Sequence, residues 1–302
     1  MPGRKSSLLY WAISWLSWPV LLAVCLAITG WGFSLDQPVI YFNFAYFGLA
    51  VSLFLLERFM PHERLWLDYD GQLLSDIGHT LLSKGTVQGL FIFGGLIGLA
   101  DFLEASEEAR SGPWPHHWPM VLQIVLALIF AELFLYWAHR IAHEWYPLWR
   151  FHAIHHSVGR LWIFNAGRFH FFDSLVSILV GIMPLIMLGA TAEIIQWLSA
   201  VTAFIGMLTH CNVDMRFGPL SWVFNTPALH RWHHSRDLRE GNRNYGENIM
   251  MWDIVFRSYI NPSHRPPVNI GTSDSIPANF FRQLTWPFVR AVRDGKVADP
   301  RS

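Results

Sequence analysis

Histidines with the spacing of metal ligands are the most distinctive feature of this sequence. Eight of its 15 histidines form three clusters: His139-Arg-Ile-Ala-His143, His152-Ala-Ile-His155-His156 and His230-Arg-Trp-His233-His234. Residues three or four positions apart project from one side of a helix, so two imidazoles can reach one metal ion. In the two longer clusters we expect the i, i+3 pair to share a face and the adjacent histidine to point about 100° away. Such a trio can serve two neighbouring metal ions.

Spacing alone does not name the metal, because imidazole binds iron, copper, nickel and zinc. A pH switch would need a buried cluster facing acidic residues, and few carboxylates lie near these clusters in the sequence. The same scarcity argues against the Glu-rich carboxylate-bridged di-iron bundles. We interpret the isolated histidines as packing residues: His62, His116, His117 and His264.

Three further histidines lie near the same ends of the predicted spans. His210 follows the last span, beside the third cluster, and we expect it to be a ninth metal ligand. His170 begins the span before it and is a candidate for catalysis, either as a ligand or as a neighbour of one. His79 lies one turn after Asp76, so it either bonds to that carboxylate or acts at the metal.

Glu132 is an ionisable residue inside a predicted span, which is costly in a bilayer and typical of functional positions. It shares a helix face with Tyr136, His139 and His143, and ligating imidazoles usually donate their other N–H to a carboxylate or carbonyl. We therefore predict that Glu132 accepts such a bond; the alternative is a neutral side chain bonded to a neighbouring helix. Asn212 is a candidate to position water or to fix a loop.

The elements that position these residues follow from the composition. The chain has 302 residues, with 22 Lys+Arg, 22 Asp+Glu and only 15% charged residues, and its mean hydropathy is +0.27. So apolar a chain would not stay disordered in water, and a zero net charge argues against nucleic-acid binding. Cys25 and Cys211 are too few for a disulfide scaffold or a four-cysteine zinc site. These observations predict an integral membrane protein.

Apolar segments of about 20 residues can cross a bilayer, and their number predicts an all-α, polytopic membrane bundle. We predict four long spans at 8–28, 39–59, 73–100 and 118–138, followed by a helical hairpin at 171–189 and 192–209 that crosses fully or re-enters. The hairpin returns the chain to the same side, which lets the third histidine cluster meet the first two.

Basic residues in short loops set the orientation of such a bundle. Region 139–170 carries four arginines and one glutamate, whereas 101–117 carries four acidic residues and one arginine. The histidines then form a cytoplasmic cap, where we expect Arg140, Arg160 and Arg168 to meet anionic headgroups. We interpret the N-terminal segment, with Arg4 and Lys5, as a retained anchor.

We divide the chain into an N-terminal transmembrane region at 1–118, a domain with the histidine clusters at 119–260 and an irregular cytoplasmic tail at 261–302. The aromatic stretch at 280–288 of this tail is a candidate to lie on the membrane surface. The compact chain, without an endoplasmic-reticulum retention ending, fits a bacterial inner membrane better than the endoplasmic reticulum.

The order HxxxH, HxxHH, HxxHH on a membrane chain resembles the fatty acid hydroxylase superfamily, also called the sterol desaturase family. Other stretches are similar to its motifs: Asn165-Ala-Gly-Arg-Phe-His170, His210-Cys-Asn212-Val, Thr226-Pro-Ala-Leu-His230, Asn244-Tyr-Gly246 and Trp252-Asp253. The resemblance covers about residues 120–260. Phe171 stands where many relatives have proline, and Phe256-Arg257 replaces the usual Phe-Gly.

This resemblance implies a non-haem di-iron centre that activates O2 and hydroxylates or desaturates a C–H bond of a lipid or sterol. Zinc could replace iron in overexpressed protein. Within the family, sterol desaturation and ether-lipid cleavage stay open. A rival from another class is a non-catalytic zinc or haem membrane protein, although a transporter would carry polar residues at the midplane of its spans.

An oxygenase of this kind needs electrons. The sequence shows no haem-attachment motif, no cysteine set for an iron–sulfur cluster and no GxGxxG loop. We therefore expect a separate electron-transfer protein that docks on the basic face.

Overall fold

The computed structural model describes residues 7–89, 95, 97–104 and 112–289. These residues fold as helices joined by turns, and the β pairing among them is confined to three isolated bridges. The helices are α1 (Leu8–Ser34), α2 (Pro38–Phe59), α3 (Leu73–Gly78), α4 (Gly85–Val87), α5 (Ile97–Glu104), α6 (Met120–Glu144), α7 (Tyr146–His156), α8 (Phe171–Met187), α9 (Ala192–Thr209), α10 (Leu220–Val223), α11 (Pro227–His233), α12 (Leu238–Gly241), α13 (Met251–Val255) and α14 (Phe280–Thr285).

Four of these helices are long and apolar enough to cross a membrane, namely α1, α2, α6 and α9, and α8 is apolar but shorter. This confirms the predicted all-helical membrane architecture. The predicted third span, 73–100, is described only in pieces: α3, a π-helix at His79–Lys84, α4 and the start of α5. Residues 90–94 and 96 of that span lie outside the described residues.

α1 and α2 pack against each other as an antiparallel hairpin. Ser7 caps α1 by accepting a hydrogen bond from the Tyr10 N–H at 3.1 Å. Near the turn, a Cβ on Gly32 would lie 2.5 Å from Cβ of Tyr41, so only glycine allows the two helices to approach this closely. The outer faces carry exposed apolar side chains such as Phe44 and Val51, as expected where lipid is the solvent.

α9 lies at the centre of the bundle and contacts α1, α2, α5 and α6. α6 packs against α7, α8 and α9, and the hairpin of α8 and α9 turns at Gly189, whose φ of +88° is readily adopted only by glycine. The predicted hairpin is therefore present, and it brings the end of α9 back to the end of α6.

The histidine clusters lie on elements that meet at one end of the bundle. A single extended residue, Trp145, separates α6 from α7, so the chain turns sharply between the first two clusters. Pro147 and Pro227 occupy the first turns of α7 and α11, where a missing N–H costs nothing. These short helices fold back over the ends of the spans.

The C-terminal region, up to residue 289, packs on the bundle. Gln283 of α14 is fully buried, and the Phe280 ring lies 4.8 Å from the His79 ring. Ser75 of α3 donates a hydrogen bond to the Ala278 carbonyl. The predicted aromatic stretch therefore covers α3 and the π-helix, and residues 290–302 lie outside the described residues.

Candidate metal centre

Nine histidines converge at the end of the bundle and form two groups. The first group combines two residues from α6, two from α7 and one from α11: His139, His143, His152, His156 and His233. Its Nε2 atoms face one another, at 3.0 Å between His139 and His152 and at 3.1 Å between His143 and His156. All five histidines are ordered on helices, so the arrangement is built into the fold.

The second group contains four buried histidines: His155, His210, His230 and His234. Nε2 of His230 lies 3.0 Å from Nε2 of His210, and Nε2 of His234 lies 3.1 Å from Nε2 of His155. His210, which was predicted from its place after the last span, therefore lies among the clusters.

The two groups are neighbours, and the longer clusters contribute to both. The stacked rings of His156 and His234 are 4.3 Å apart and belong to different groups. In each trio the i, i+4 pair joins one group and the i+3 histidine joins the other, so our i, i+3 pairing was wrong. At 100° per residue, i+4 is displaced by only 40° from i, against 60° for i+3.

Hydrogen bonds to the outer nitrogens define the tautomers of six rings. In the first group, the Nδ1–H of His139 donates to the Tyr245 carbonyl at 2.6 Å, and the Nδ1–H of His152 donates to the Asp173 carboxylate at 2.9 Å. The Nδ1–H of His143 donates to the side-chain oxygen of Asn242, and the Nδ1–H of His233 donates to the Arg243 carbonyl. Since these partners can only accept, the rings are protonated at Nδ1 and offer an Nε2 lone pair inward.

Two of the four rings in the second group follow the same rule, whereas Nδ1 of His230 and Nδ1 of His234 have no hydrogen-bond partner among the described residues. His155 and His210 donate from Nδ1 to the carbonyls of Arg168 and Gly206, at 3.3 and 2.7 Å. Their Nε2 atoms are 3.4 Å apart, and those of His139 and His152 are 3.0 Å apart, yet neither pair holds a proton to share. Facing lone pairs repel unless a cation lies between them, so both groups fit a metal ion.

The electrostatics of the histidines outside the spans also favour metal binding. Burial, followed by the neighbouring imidazoles, lowers the pKa of His155, His156, His230 and His234 well below its ordinary value. Burial also lowers the pKa of His210 to about 4. These side chains are therefore neutral at pH 7, the form that binds metals.

Glu132 does not bond to an imidazole. Its carboxylate accepts the backbone N–H groups of Glu247 and Asn248 and the Asn248 side-chain amide. The prediction of an imidazole partner was wrong, because Glu247 and Asn248 in the loop before α13 already occupy the Glu132 carboxylate. The carboxylate that does hold a ligand ring is Asp173, which we missed because it lies 21 residues after His152 in the sequence.

His170 lies outside both groups. Its Nδ1 caps α8 by accepting the Phe172 N–H at 3.2 Å, and its Nε2 is 3.1 Å from the Leu284 carbonyl. Both ring nitrogens are thus occupied by the backbone, which leaves none for a metal ion. The departure at Phe171 does not disturb this cap, because α8 begins at that residue.

Asn212 fixes a loop rather than contacting the histidine groups. Its amide donates to the Glu63 carbonyl and its Oδ1 accepts the Glu63 N–H, both at 2.9 Å. His79 bonds to Gln283 and to the Phe169 carbonyl and not to Asp76, so the predicted Asp76 partner was wrong.

Two of the arginines that we assigned to headgroups are buried. Arg168 is 1% exposed and its Nη1 lies 2.7 Å from Asp76, while Arg160 pairs with Asp70 at 3.0 Å. That assignment was wrong, because the acidic partners lie about 90 residues earlier in the chain. Arg140 is 28% exposed and pairs with Glu144.

A cavity runs from the histidines along α8 and α9. Its wall includes His139, His155 and His210 at one end and Ile182 and Leu198 at the other. Leu198 lies twelve residues before His210 (210 − 198), so the cavity extends about 18 Å along α9 at 1.5 Å per residue. The length and apolar lining suit a lipid chain.

A basic and an acidic residue, Lys84 and Glu247, line this cavity near its histidine end. Lys84 Nζ lies 4.7 Å from the centre of the Phe169 ring, and that ring stacks on His155 at 4.1 Å. Glu247 belongs to the loop whose N–H groups bond to Glu132, and burial, reinforced by the neighbouring Glu132, raises its pKa to about 8, so its carboxyl group is mostly protonated at pH 7. Between residues that the structure describes, no ion pair within 4.0 Å involves Lys84 or Glu247.

Membership of the fatty acid hydroxylase family follows from comparison with known proteins, because a model of that family matches residues 124–258 and a relative matches nearly the whole chain. That relative is the ornithine lipid hydroxylase OlsE of Rhizobium tropici, which is 48% identical over 294 residues, covering 96% of this chain and 88% of its own.

More distant relatives share the central part of the chain. The alkylglycerol monooxygenase of Caenorhabditis elegans is 28% identical over 178 residues, which cover 58% of this chain and 33% of that protein. A very-long-chain aldehyde decarbonylase of Oryza sativa subsp. japonica is 26% identical over 164 residues, covering 49% of this chain and 25% of its own. No solved structure matches the chain.

Proposed function

We propose that this protein is an O2-dependent membrane lipid hydroxylase in which the nine histidines hold two iron ions. The facing, proton-free Nε2 pairs, one in each histidine group, carry the proposal, since each calls for a cation. Iron bound by imidazoles can activate O2 for attack on an unreactive C–H bond. The residues of this chain would orient the imidazoles, hold the substrate and exclude water.

The chain holds the imidazoles in their ligating form and keeps water out. Asp173 and the carbonyls of Arg243 and Tyr245 fix the orientation of three rings in the first group. Phe169 stacks on His155 in the second group, and apolar residues such as Leu135 line the cavity beside them. A substrate chain in this cavity is held with a C–H bond next to the histidines and away from bulk water.

The basic and acidic side chains in the cavity bear on the kind of lipid that it would bind. Lys84 and Glu247 face the same cavity, and an ammonium group beside Glu247 would lower its raised pKa and favour the carboxylate. A headgroup that carries both a carboxylate and an ammonium group would partner both. We therefore propose a lipid with an amino-acid headgroup as the substrate, in agreement with the name of the ornithine lipid hydroxylase that the chain resembles.

The position of the pair also bears on regiochemistry. Lys84 and Glu247 lie at the histidine end of the cavity, and the apolar wall of Ile178, Ile182 and Leu198 extends away from it. A lipid bound in this direction presents its headgroup and not its chain terminus to the metal centre. We propose that oxygen enters in or next to the headgroup.

The experiment that tests the function supplies ornithine lipid, a reductant and isotopically labelled O2 to the purified protein in detergent. We expect mass spectrometry to find one labelled oxygen atom in the headgroup fragment. His233→Ala should lose the metal ion of the first group together with turnover, whereas the exposed Glu193→Gln should lose neither. A His233→Ala protein that keeps both metals and full activity would contradict the proposal.

The headgroup assignment has its own test in Lys84→Met and Glu247→Gln. Each substitution removes one of the two side chains that would pair with the headgroup, so we expect KM for ornithine lipid to rise roughly 10- to 100-fold while the metal content is unchanged. Equal KM values for both variants and the wild type would rule out this headgroup site.

A second candidate activity is cleavage of an ether lipid by hydroxylation beside the ether oxygen. The similarity to an alkylglycerol monooxygenase over 58% of the chain favours it. Release of a fatty aldehyde from an alkylglycerol, with no oxygen added to ornithine lipid, would select this activity instead.

The setting of the reaction is also a proposal. The four apolar helices and a bacterial relative support an inner-membrane protein, and the basic regions near the histidines support a cytoplasmic metal centre. A separate electron-transfer protein would supply the reductant. The division of the chain at 118 and 260 stays a prediction.

A further inference from the structure

We infer that a basic recess beside the first histidine group is the docking surface for an acidic one-electron carrier protein. The inference rests on the proposed function, which needs electrons from outside the chain. Hydroxylation converts R–H and O2 into R–OH and water. The C–H bond supplies two of the four electrons that reduce O2, and the carrier supplies the other two while two protons come from solvent.

Four arginines and one glutamate line the recess: Arg140, Arg239, Arg243, Arg257 and Glu144. The Glu144 carboxylate is occupied by Arg140 at 2.9 Å, and Arg239, whose side chain is 89% exposed, pairs with Asp237 at 2.7 Å. No carboxylate in the described part of the chain lies within 4.0 Å of the guanidinium of Arg243 or Arg257. The recess therefore presents an excess of positive charge.

The floor of the recess contacts the first histidine group directly. The loop at 242–245 lines the recess, and three of its residues bond to ligand rings. Asn242 accepts from His143 at 3.1 Å, the Arg243 carbonyl from His233 at 2.8 Å, and the Tyr245 carbonyl from His139 at 2.6 Å. An electron arriving at this loop is one hydrogen bond from three imidazoles.

Arg257 adds a strained residue to the rim. Its φ is +62°, in the left-handed region that favours glycine, and it lies where α13 ends and the chain turns. The Arg257 N–H donates to the Ile254 carbonyl at 3.3 Å, and the Ser258 N–H to the Asp253 carbonyl at 2.8 Å. Glycine would fit this turn without strain, so the turn does not explain the arginine. The positive charge that Arg257 adds to the recess explains why an arginine is present.

The shape of the site favours a protein over a membrane surface. A recess with cations around it and the polar Asn242 and Ser258 inside accepts a convex acidic protein. A plane of lipid headgroups would reach the rim and not the loop that bonds to the histidines. Charge complementarity of this kind raises association rates and depends on ionic strength.

The experiment uses the full protein in nanodiscs of zwitterionic lipid and an acidic [2Fe–2S] ferredoxin as the probe. It measures the dissociation constant of ferredoxin and the ferredoxin KM for hydroxylation of ornithine lipid, with dithionite as an alternative reductant. The variants are Arg257→Gly, Arg257→Lys and the double variant Arg239→Glu/Arg257→Glu. The exposed Arg282→Glu on α14 is the matched control outside the recess.

We expect the ferredoxin dissociation constant and KM to rise roughly 3-fold for Arg257→Gly and 10-fold or more for the double variant. Arg257→Lys and Arg282→Glu should stay near the wild type. Arg257→Gly should unfold at the same or a higher temperature, which a purely structural role for Arg257 would not allow. Activity with dithionite should not change.

Unchanged ferredoxin binding in the double variant would overturn the docking surface, even if dithionite still supports hydroxylation. A defect that appears only in nanodiscs with anionic lipid would assign the recess to the membrane instead. No hydroxylation with either reductant, but a weakened ferredoxin complex in the double variant, would reject the proposed function and keep the binding surface.

Discussion

At the scale of single residues, hydrogen bonds from the outer ring nitrogens, Nδ1, orient the histidines of the two groups. Six of the nine histidines donate from Nδ1 to oxygen acceptors, and this leaves each Nε2 lone pair free to bind a cation. Five of the acceptors are carbonyls, and the charged one is Asp173. Asp173 therefore sets both the orientation and the basicity of His152.

Asp173→Asn keeps an acceptor near His152 and removes the negative charge. We expect metal affinity to fall roughly 10- to 100-fold, because partners of ligating imidazoles commonly contribute this much. Competition with a chelator measures the change, and Glu193→Gln at the far end of α9 is the control. Equal affinities for Asp173→Asn and the wild type would show that His152 does not need the carboxylate.

Arg168 is a second residue whose partners include residues that are distant in the sequence. Its guanidinium bonds to Asp76, Gln72 and Ser157, and its carbonyl accepts the His155 Nδ1–H. Arg168→Ala leaves the Asp76 carboxylate buried without a cation, so we expect a loss of about 3–5 kcal/mol in the free energy of unfolding. Unfolding in detergent measures it.

Arg140→Ala is the matched control for Arg168→Ala. Arg140 is partly exposed and pairs with the half-exposed Glu144, so its removal should cost less than about 1 kcal/mol. If both variants lose the same stability, the buried pair of Arg168 and Asp76 does not stabilise the fold as we describe.

Sequence reasoning succeeded at the residue scale where local spacing carried the signal. All eight cluster histidines lie in the two groups, because helical spacing places the rings of each cluster near one another, and His210 joins them because it directly follows α9. It failed for Glu132, Arg168 and Asp173, whose partners lie 21 to 116 residues away along the chain. No local pattern encodes such pairs.

At the scale of elements, α8 and α9 form a scaffold with two roles. The end of α9 positions His210, and the facing sides of the two helices form the cavity that we propose for the substrate. Sequence reasoning found α9 with its observed bounds, because Thr191 caps its start and His210 follows its end. It did not find the π-helix at His79–Lys84 within the predicted span 73–100, because hydropathy does not distinguish a π-helix from an α-helix.

Ala203→Phe tests the cavity, since Ala203 lines it on α9. A phenyl ring there blocks the path of a lipid chain, and we expect kcat/KM for a long-chain lipid to fall more than about tenfold. Metal content should not change. Val180→Phe, on α8 and outside the cavity wall, should keep the wild-type kcat/KM, and an active Ala203→Phe would move the substrate elsewhere.

α14 holds the C-terminal region against the π-helix at His79–Lys84 through contacts with His79. Gln283 accepts from His79 at 2.9 Å and donates to the Pro277 carbonyl at 2.7 Å. Gln283→Ala leaves both groups without a partner, so we expect a loss of about 1–3 kcal/mol and faster proteolysis after residue 276. Limited proteolysis with Arg282→Ala as the exposed control measures this, and identical digestion patterns would show that α14 is not fastened there.

At the scale of the whole molecule, a membrane bundle supports a polar cap at one end. Apolar spans carry lipid-facing side chains, and the short α7 and α11 fold back to meet the ends of α6 and α9. The cavity opens from this cap along α8 and α9, so a lipid can present its headgroup at the histidines while its chain stays among the spans. The basic recess, which we infer to be the docking surface of the electron carrier, lies beside the first histidine group.

The number of metal ions bound per chain shows whether each of the two histidine groups holds one ion. The protein is purified without oxygen, saturated with Fe(II), and analysed for bound metal per chain, together with His143→Ala from the first group and His230→Ala from the second. We predict two metal ions in the wild type and one in each variant. A wild-type protein that binds one metal ion or none, or two variants that each still bind two, would contradict the account.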